Sequence, residues 1–309
     1  MHPTAAAWFA RRTSSWRDWP VHRLVEAKGT TRVSVVLPAL DEETTIGPIV
    51  AGVRGLADRT GLVDEVIVLD SGSQDATAKV AYEAGAIVYH RDDVLPAHGS
   101  RPGKGEALWK SLAVTTGDLL VFVDSDLTDF QPHFVTGLLG PLLTEPEVAM
   151  VKAFYDRPLL DVSAAGGGRV TELMARPLLG AYFPELAGVV QPLAGEYAAR
   201  RSLLETLPFA PGYGVETGLL LDTVLEAGLD AVAQVDLGTR THGHQDTMAL
   251  GQMAATILRT VLERVHPGDP PDGTLTQFTR RNGAITPVDR VVSGESRPPM
   301  VTVPEYRRT

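Results

Sequence analysis

The stretch Leu119-Leu120-Val121-Phe122-Val123-Asp124-Ser125-Asp126 decides the reading of the fold. Its five leading apolar residues, too few for a helix and rich in strand formers, predict a strand buried on both faces. Two carboxylates stand where that strand ends. Upstream, Val33 to Leu37 is a similar run, closed by Pro38 and followed by Ile46, Ile49, Val50 and Val53 at helical spacing. Glu65 to Leu69 is another. It runs into the turn-rich Asp70-Ser71-Gly72-Ser73-Gln74-Asp75, whose polar side chains can cap a helix through Ala78 and Ala81. Gly85 to Tyr89 reads as a further strand and Glu106 to Ala113 as a helix.

Strands alternating with helices imply an α/β fold with a doubly wound, mainly parallel sheet. Ligands of such sheets bind at the carboxyl ends of the strands. Pro38-Ala39-Leu40-Asp41-Glu42, Asp70-Ser71-Gly72-Ser73 and Asp124-Ser125-Asp126 all fall there, so three remote segments are expected to meet in one crevice. After a strand at Val148 to Tyr155 the pattern loosens. Gly166 to Gly168 is expected to open a helix through Leu173 and Leu178, followed by a strand near Glu196 to Ala199. A helix from Val215 to Glu226 and a strand from Ala231 to Val235 come next, then a long amphipathic helix carrying Met248, Met253, Ile257, Val261 and Val265. The expected division is a docking or oligomer arm at 1–31, a first half at 32–155 that carries the strand-end motifs, a smaller second half at 156–245, and a helix and tail at 246–309. The final dozen residues are expected to be mobile or to pack on a partner subunit.

The 309 residues are 44% apolar and 21% charged, enough for a large core and too hydrophobic for disorder. With 38 acidic against 28 basic residues the formal charge is -10, which disfavours nucleic acid as a partner. An anionic ligand would need local cations or a metal. Cysteine is absent, removing disulfides, thiolate metal sites and cysteine nucleophiles, and cytoplasm fits best. No run approaches the roughly 20 apolar residues of a membrane span, so no integral membrane contact is expected.

The chemistry-bearing residues follow from position. Asp124 and Asp126, two residues apart at a strand end, can both turn into the crevice and offer hard oxygens to Mg²⁺ or Mn²⁺ on a diphosphate; the plainer reading is a capped turn. Lys104, within Arg101-Pro102-Gly103-Lys104-Gly105, could reach a phosphate before a helix, or be a solvated lysine. It is not in a Walker loop, since GxxxxGK(S/T) is missing. Gly166-Gly167-Gly168-Arg169-Val170-Thr171 could hold a small phosphorylated acid through backbone N–H groups and a guanidinium, or be an interlobe hinge. His242 could complete a metal's coordination beside Asp126, with His244 two residues on; a pair of exposed loop histidines is the alternative. Pro211-Gly212-Tyr213-Gly214-Val215-Glu216 places a tyrosine and a carboxylate at a helix start, where Glu216 could simply favour the helix dipole.

Six segments, in order, resemble the actinobacterial glucosyl-3-phosphoglycerate synthases: Leu37-Pro38-Ala39-Leu40-Asp41-Glu42-Glu43, Asp70 to Asp75, Pro102-Gly103-Lys104-Gly105, Val123-Asp124-Ser125-Asp126, Gly168-Arg169-Val170-Thr171 and Gly212-Tyr213-Gly214-Val215-Glu216. The match runs from about Val33 to about Val265. The resemblance implies a GT-A fold, Rossmann-like, and a homodimer that moves glucose with retention from UDP-glucose to the 2-hydroxyl of 3-phosphoglycerate, using Mg²⁺ or Mn²⁺. Carried over residue by residue, Pro38, Ala39, Leu40 and Glu42 would hold the uracil and ribose side, with Ser71 nearby. Lys104, Asp124 and Ser125 would also contact the donor, and Asp126 and His242 would ligate the metal. Gly168, Arg169, Val170 and Thr171 would hold the acceptor. Tyr213, Glu216 and Arg240 would line the sugar and phosphate region, with Asp126, Lys104 and Glu216 carrying the chemistry. His244 stands where that family carries asparagine, so an acceptor contact differs.

Rival readings are mannosyl transfer from GDP-mannose to the same acceptor, transfer to a polyprenyl phosphate, and an inactive nucleotide-sugar-binding scaffold. A dehydrogenase is disfavoured because no GxGxxG follows the first strand.

Overall fold

The computed structural model describes residues 1–156, 168–240, 246–268, 273–281, 284–292 and 295–306. Eight strands form one sheet: β1 Thr13–Ser15, β2 Val33–Ala39, β3 Glu65–Asp70, β4 Ile87–His90, β5 Leu119–Phe122, β6 Met150–Asp156, β7 Tyr197–Arg200 and β8 Val232–Thr239, in the order β1-β8-β6-β7-β5-β2-β3-β4. Only β7 runs antiparallel to its neighbours. The doubly wound, mainly parallel sheet expected from the sequence is present. From β2 the chain steps outward through β3 to β4, then returns to β5 on the other side of β2. The winding direction reverses between β2 and β5, which opens a crevice at their carboxyl ends.

Both faces of the sheet are covered, as the unbroken apolar strands require. Alternate residues of β2 point to opposite layers. Val33, Val35 and Leu37 join Ile46, Ile49 and Val53 of helix Ile46–Thr60 and Leu138 of helix His133–Thr144, whereas Val36 joins Leu108 of helix Lys104–Val114 and Leu219 of helix Val215–Ala227. Among the described residues no helix is long and apolar enough to cross a membrane.

Both chain ends depart from expectation. Residues 1–31 are not a free docking arm: β1 pairs in parallel with β8, and Trp8 is fully buried with its indole N–H donating to the Val232 carbonyl at 2.8 Å. A three-residue edge strand carries too little periodicity to be legible in sequence. Nor do the final dozen residues, as far as Tyr306, hang free or await a partner. After an antiparallel hairpin of β9 Thr274–Arg281 and β10 Ala284–Val291, the chain returns to helix Lys104–Val114. Arg297 grips both Glu106 oxygens at 2.7 Å, the Trp109 indole donates to the Pro298 carbonyl at 2.8 Å, and Met300 and Val303 enter the core. Trp8→Ala is expected to lower the unfolding free energy by about 3–5 kcal/mol in denaturant titration. A loss below about 0.5 kcal/mol would identify residues 1–31 as a dispensable arm.

Candidate active site

The crevice wall is built from two loops laced together. Asp41, just past β2, adopts a left-handed conformation (φ 57°) that aspartate tolerates better than most residues. Its N–H donates to Ser73 Oγ at 3.0 Å and its carboxylate accepts the Gln74 N–H at 2.7 Å. The Glu42 N–H donates to Thr77 Oγ1 at 2.7 Å, and the Ala76 N–H to the Glu43 carboxylate at 2.9 Å. The Ser71 N–H donates to the Ala39 carbonyl at 2.9 Å, and Ser125 Oγ to the Pro38 carbonyl at 2.8 Å. Pro38, Ala39, Glu42, Ser71 and Ser125 are thus gathered at one rim. Leu40 stands beside them, exposed. Burial pushes the Glu42 carboxyl upward.

Two glycine loops bring the next pair together. A side chain on Gly103 (φ 98°) would come within 2.8 Å of the Gly212 Cα, so the loops at 101–105 and 211–214 touch backbone to backbone. Lys104 therefore begins its helix facing Glu216, in the first turn of helix Val215–Ala227. The ammonium lies 2.7 Å from Glu216 Oε1 and also donates to Asp124. Lys104 is not a solvated lysine, and Glu216 does more than complement a helix dipole.

Arg240, at the end of β8, completes the cluster. Its Nη2 lies 3.1 Å from both Asp124 Oδ2 and Asp126 Oδ1, and its Nη1 donates to the Tyr155 hydroxyl at 2.6 Å. Both aspartates turn to one side, as their spacing at a strand end suggested. Tyr155 in turn donates to Glu196 Oε2 at 2.8 Å, and Glu196 Oε1 lies 3.4 Å from Arg240. Lys152 is buried beside them, donating to the Ala194 carbonyl at 2.6 Å with its ammonium 4.9 Å over the Tyr197 ring. Gly195 has no room for a side chain, because a Cβ would fall 2.1 Å from Asp124 Oδ2. Glu196, Tyr155 and Lys152 escaped the sequence reading. Only the lysine inside Met150-Val151-Lys152-Ala153-Phe154 was a signal, a charge in a core strand.

Three cationic side chains (Lys104, Lys152, Arg240) thus gather with four carboxylates (Asp124, Asp126, Glu196, Glu216). Burial opposes charge on Asp124, but Lys104 and Arg240 overcome it and hold its carboxyl well below the usual range. Burial likewise opposes charge on Lys104, yet Asp124 and Glu216 raise its pKa, so it stays an ammonium. For Glu196 burial prevails and the pKa rises. Asp126 is the open member, its side chain 50% exposed, and offers hard oxygens suited to Mg²⁺ or Mn²⁺. Among the described residues no group of three His, Asp or Glu side chains could hold an ion alone. Such a cation is commonly held by one or two carboxylates, with waters and phosphate oxygens completing its shell, and the carboxylate at the crevice mouth fits that role.

The acceptor motif is partly visible. Gly168 and the exposed Arg169 lead into a π-helical turn, Thr171–Ala175, with Val170 and Thr171 buried. Helix Thr247–Val265 packs against both this turn and the Gly212–Gly214 turn that carries the half-exposed Tyr213, setting both beside one support. Gly166, Gly167, His242 and His244 lie outside the described residues, and with them the expected metal role of His242 and acceptor role of His244.

Burial depresses the Lys152 pKa from 10.5 to about 8. Between those values the unfolded lysine keeps a proton that the folded one has shed, so folding stability contributed by this group rises with pH across that window. Denaturant unfolding of wild type and Lys152→Met through the same range should show their difference growing in favour of wild type. Parallel curves would mean that Lys152 titrates as an ordinary lysine.

The Glycosyl transferase family 2 model matches residues 34–165. The glucosyl-3-phosphoglycerate synthase of Mycolicibacterium paratuberculosis is 51% identical, covering 96% of this chain and 92% of that protein, and the one from Petrotoga mobilis is 44% identical over 92% and 90%. Among solved structures, the Mycobacterium tuberculosis glucosyl-3-phosphoglycerate synthase in complex with Mn²⁺, UDP and phosphoglyceric acid superposes with a TM-score of 0.86 at 50% identity, covering 94% of this chain and 98% of that one. The mannosyl-3-phosphoglycerate synthase of Rubrobacter xylanophilus superposes with a TM-score of 0.90 at 39% identity, over 96% and 99%. With identity above one half along nearly the whole sequence, and the laced loops and charge cluster at the switch point of its sheet, the chain belongs to the glucosyl-3-phosphoglycerate synthases.

Proposed function

We propose that this chain transfers glucose from UDP-glucose to the 2-hydroxyl of 3-phosphoglycerate with retention of configuration, assisted by Mg²⁺ or Mn²⁺. One observation carries the reading: Lys104, Asp124, Asp126, Glu216 and Arg240, from four remote segments, converge at the carboxyl ends of the strands, in a chain half identical to a protein crystallised with UDP-glucose and phosphoglyceric acid. Pro38, Ala39, Leu40, Glu42, Ser71 and Ser125 line the nucleotide side. Gly168, Arg169, Val170 and Thr171 face the acceptor with His244, while Asp126 and His242 hold the cation.

The divalent ion supplies charge neutralisation on the diphosphate. Lys104, kept protonated by Asp124 and Glu216, adds fixed positive charge where the leaving group becomes more anionic. Glu216, anchored on Lys104, orients the sugar and forms no bond to it. The acceptor hydroxyl attacks carbon 1 from the face that UDP leaves, the bond to the diphosphate oxygen breaks, and the hydroxyl proton passes to a donor phosphate oxygen. A homodimer in the cytoplasm goes with this reading. Exposed Phe278, Ile285 and Val291 on the β9–β10 hairpin offer it an apolar surface.

Mannosyl transfer from GDP-mannose is the second reading, favoured by the close superposition on the Rubrobacter enzyme. A panel of UDP- and GDP-sugars against 3-phosphoglycerate, with and without chelator and with the product's anomer identified by NMR, decides between them. UDP-glucose should be turned over and chelator should stop it; no turnover of any sugar nucleotide would make the chain a binding scaffold. Asp126→Ala should abolish cation-dependent turnover. Arg169→Ala should raise KM for 3-phosphoglycerate about 10- to 100-fold, the loss of a charge-assisted contact, and leave that for UDP-glucose near wild type. The reverse pattern would move the acceptor site elsewhere.

A further inference from the structure

Arg240 stands beside a buried carboxylate oxygen that it does not satisfy. Its Nη2 carries two N–H bonds, and they go to Asp124 and Asp126, yet a third carboxylate oxygen, Glu196 Oε1, lies 3.4 Å away with no hydrogen bond of its own. Glu196 is fully buried, and its other oxygen accepts from Tyr155, whose hydroxyl takes the Nη1–H of Arg240. The three residues close a ring, from the turn before β7, from β6 and from the end of β8. Burying a carboxylate completely without satisfying it is costly. Nothing in the packing requires a charge there, since an amide would fill the same space and still accept from Tyr155.

What the charge changes is the balance at the mouth. An uncompensated guanidinium 3.1 Å from Asp126 would cancel that carboxylate and repel a dication. We infer that Glu196 is a positioning residue: its buried carboxylate neutralises and anchors Arg240, so that Asp124 and Asp126 keep their negative charge available to a divalent cation. Burial pushes the Glu196 carboxyl upward and Arg240 pulls it back, which keeps the two groups mutually dependent. Glu196 touches no substrate and acts only through Arg240.

The inference rests on the cation-assisted reading, and the test separates the two. Binding of Mn²⁺ is followed by the electron paramagnetic resonance of the free ion, in the presence of UDP, for wild type, Glu196→Gln and Tyr155→Phe. Glu196→Gln keeps shape and hydrogen bond while deleting the charge, and should weaken Mn²⁺ binding about tenfold or more. It should also lower kcat at saturating UDP-glucose and leave KM for 3-phosphoglycerate unchanged. Tyr155→Phe frees the ring without changing its charge and should move Mn²⁺ affinity in the same direction by less. It decides the matter if Glu196→Gln does not fold. A merely structural Glu196 would shift the melting temperature and leave Mn²⁺ affinity alone. Wild-type Mn²⁺ affinity in Glu196→Gln, as a Glu196 that held its proton would give, overturns the inference and leaves the function standing; so does wild-type affinity in Tyr155→Phe should that variant alone fold. Absence of UDP-linked Mn²⁺ binding in the wild type overturns both.

Discussion

A single guanidinium ties together segments of four strands at the carboxyl edge of the central sheet. Arg240 meets Asp124 and Asp126 beyond β5, Tyr155 on β6 and Glu196 before β7, while itself ending β8. These strands are neighbours in the middle of the sheet, and no apolar contact could hold their ends at that edge, because the crevice must remain polar. Lys104 does the same work from the other side through Asp124 and Glu216. Four carboxylates would repel one another in a partly buried space. With three cations among them the cluster is close to neutral, and most of its members are hydrogen-bonded.

That arrangement accounts for features that otherwise look accidental. Close passage of the loops at 101–105 and 211–214 excludes a side chain at Gly103, and the contact of Asp124 with the turn before β7 excludes one at Gly195. The glycines are where the backbone must yield so that charges can meet. It also gives a chain of net charge -10 a local setting suited to the diphosphate and phosphorylated acid of the proposed reaction. Global charge sets the field at long range, whereas a buried lysine and arginine beside one open carboxylate set it within a few ångströms, where salt screens little.

The strands and helices from β2 to β5 were legible because each carries enough periodic apolar residues to bury one face, and the strand ends carried Pro38, Ser71, Asp124 and Asp126 to their observed places. Chain ends were not legible. Trp8 and Arg297 lie in segments whose local pattern says nothing, and only their remote partners, the Val232 carbonyl and Glu106, give them a structural role. The site was legible in part for the same reason. Motif residues at strand ends could be placed from one strand's period, but Glu196 and Tyr155 gain their meaning solely from Arg240.

Amino-acid order by itself therefore determined the layered α/β architecture, the carboxyl edge of the sheet where the charge cluster sits, and many of the residue types gathered there, since hydrophobic period and turn chemistry act over a few residues. Tertiary structure alone decided which carboxylate pairs with which cation, that Lys104 faces inward and that Asp126 stays open. Ion pairing in the cluster depends on distances of a few ångströms between segments up to 116 residues apart, and no local rule of the chain encodes those distances.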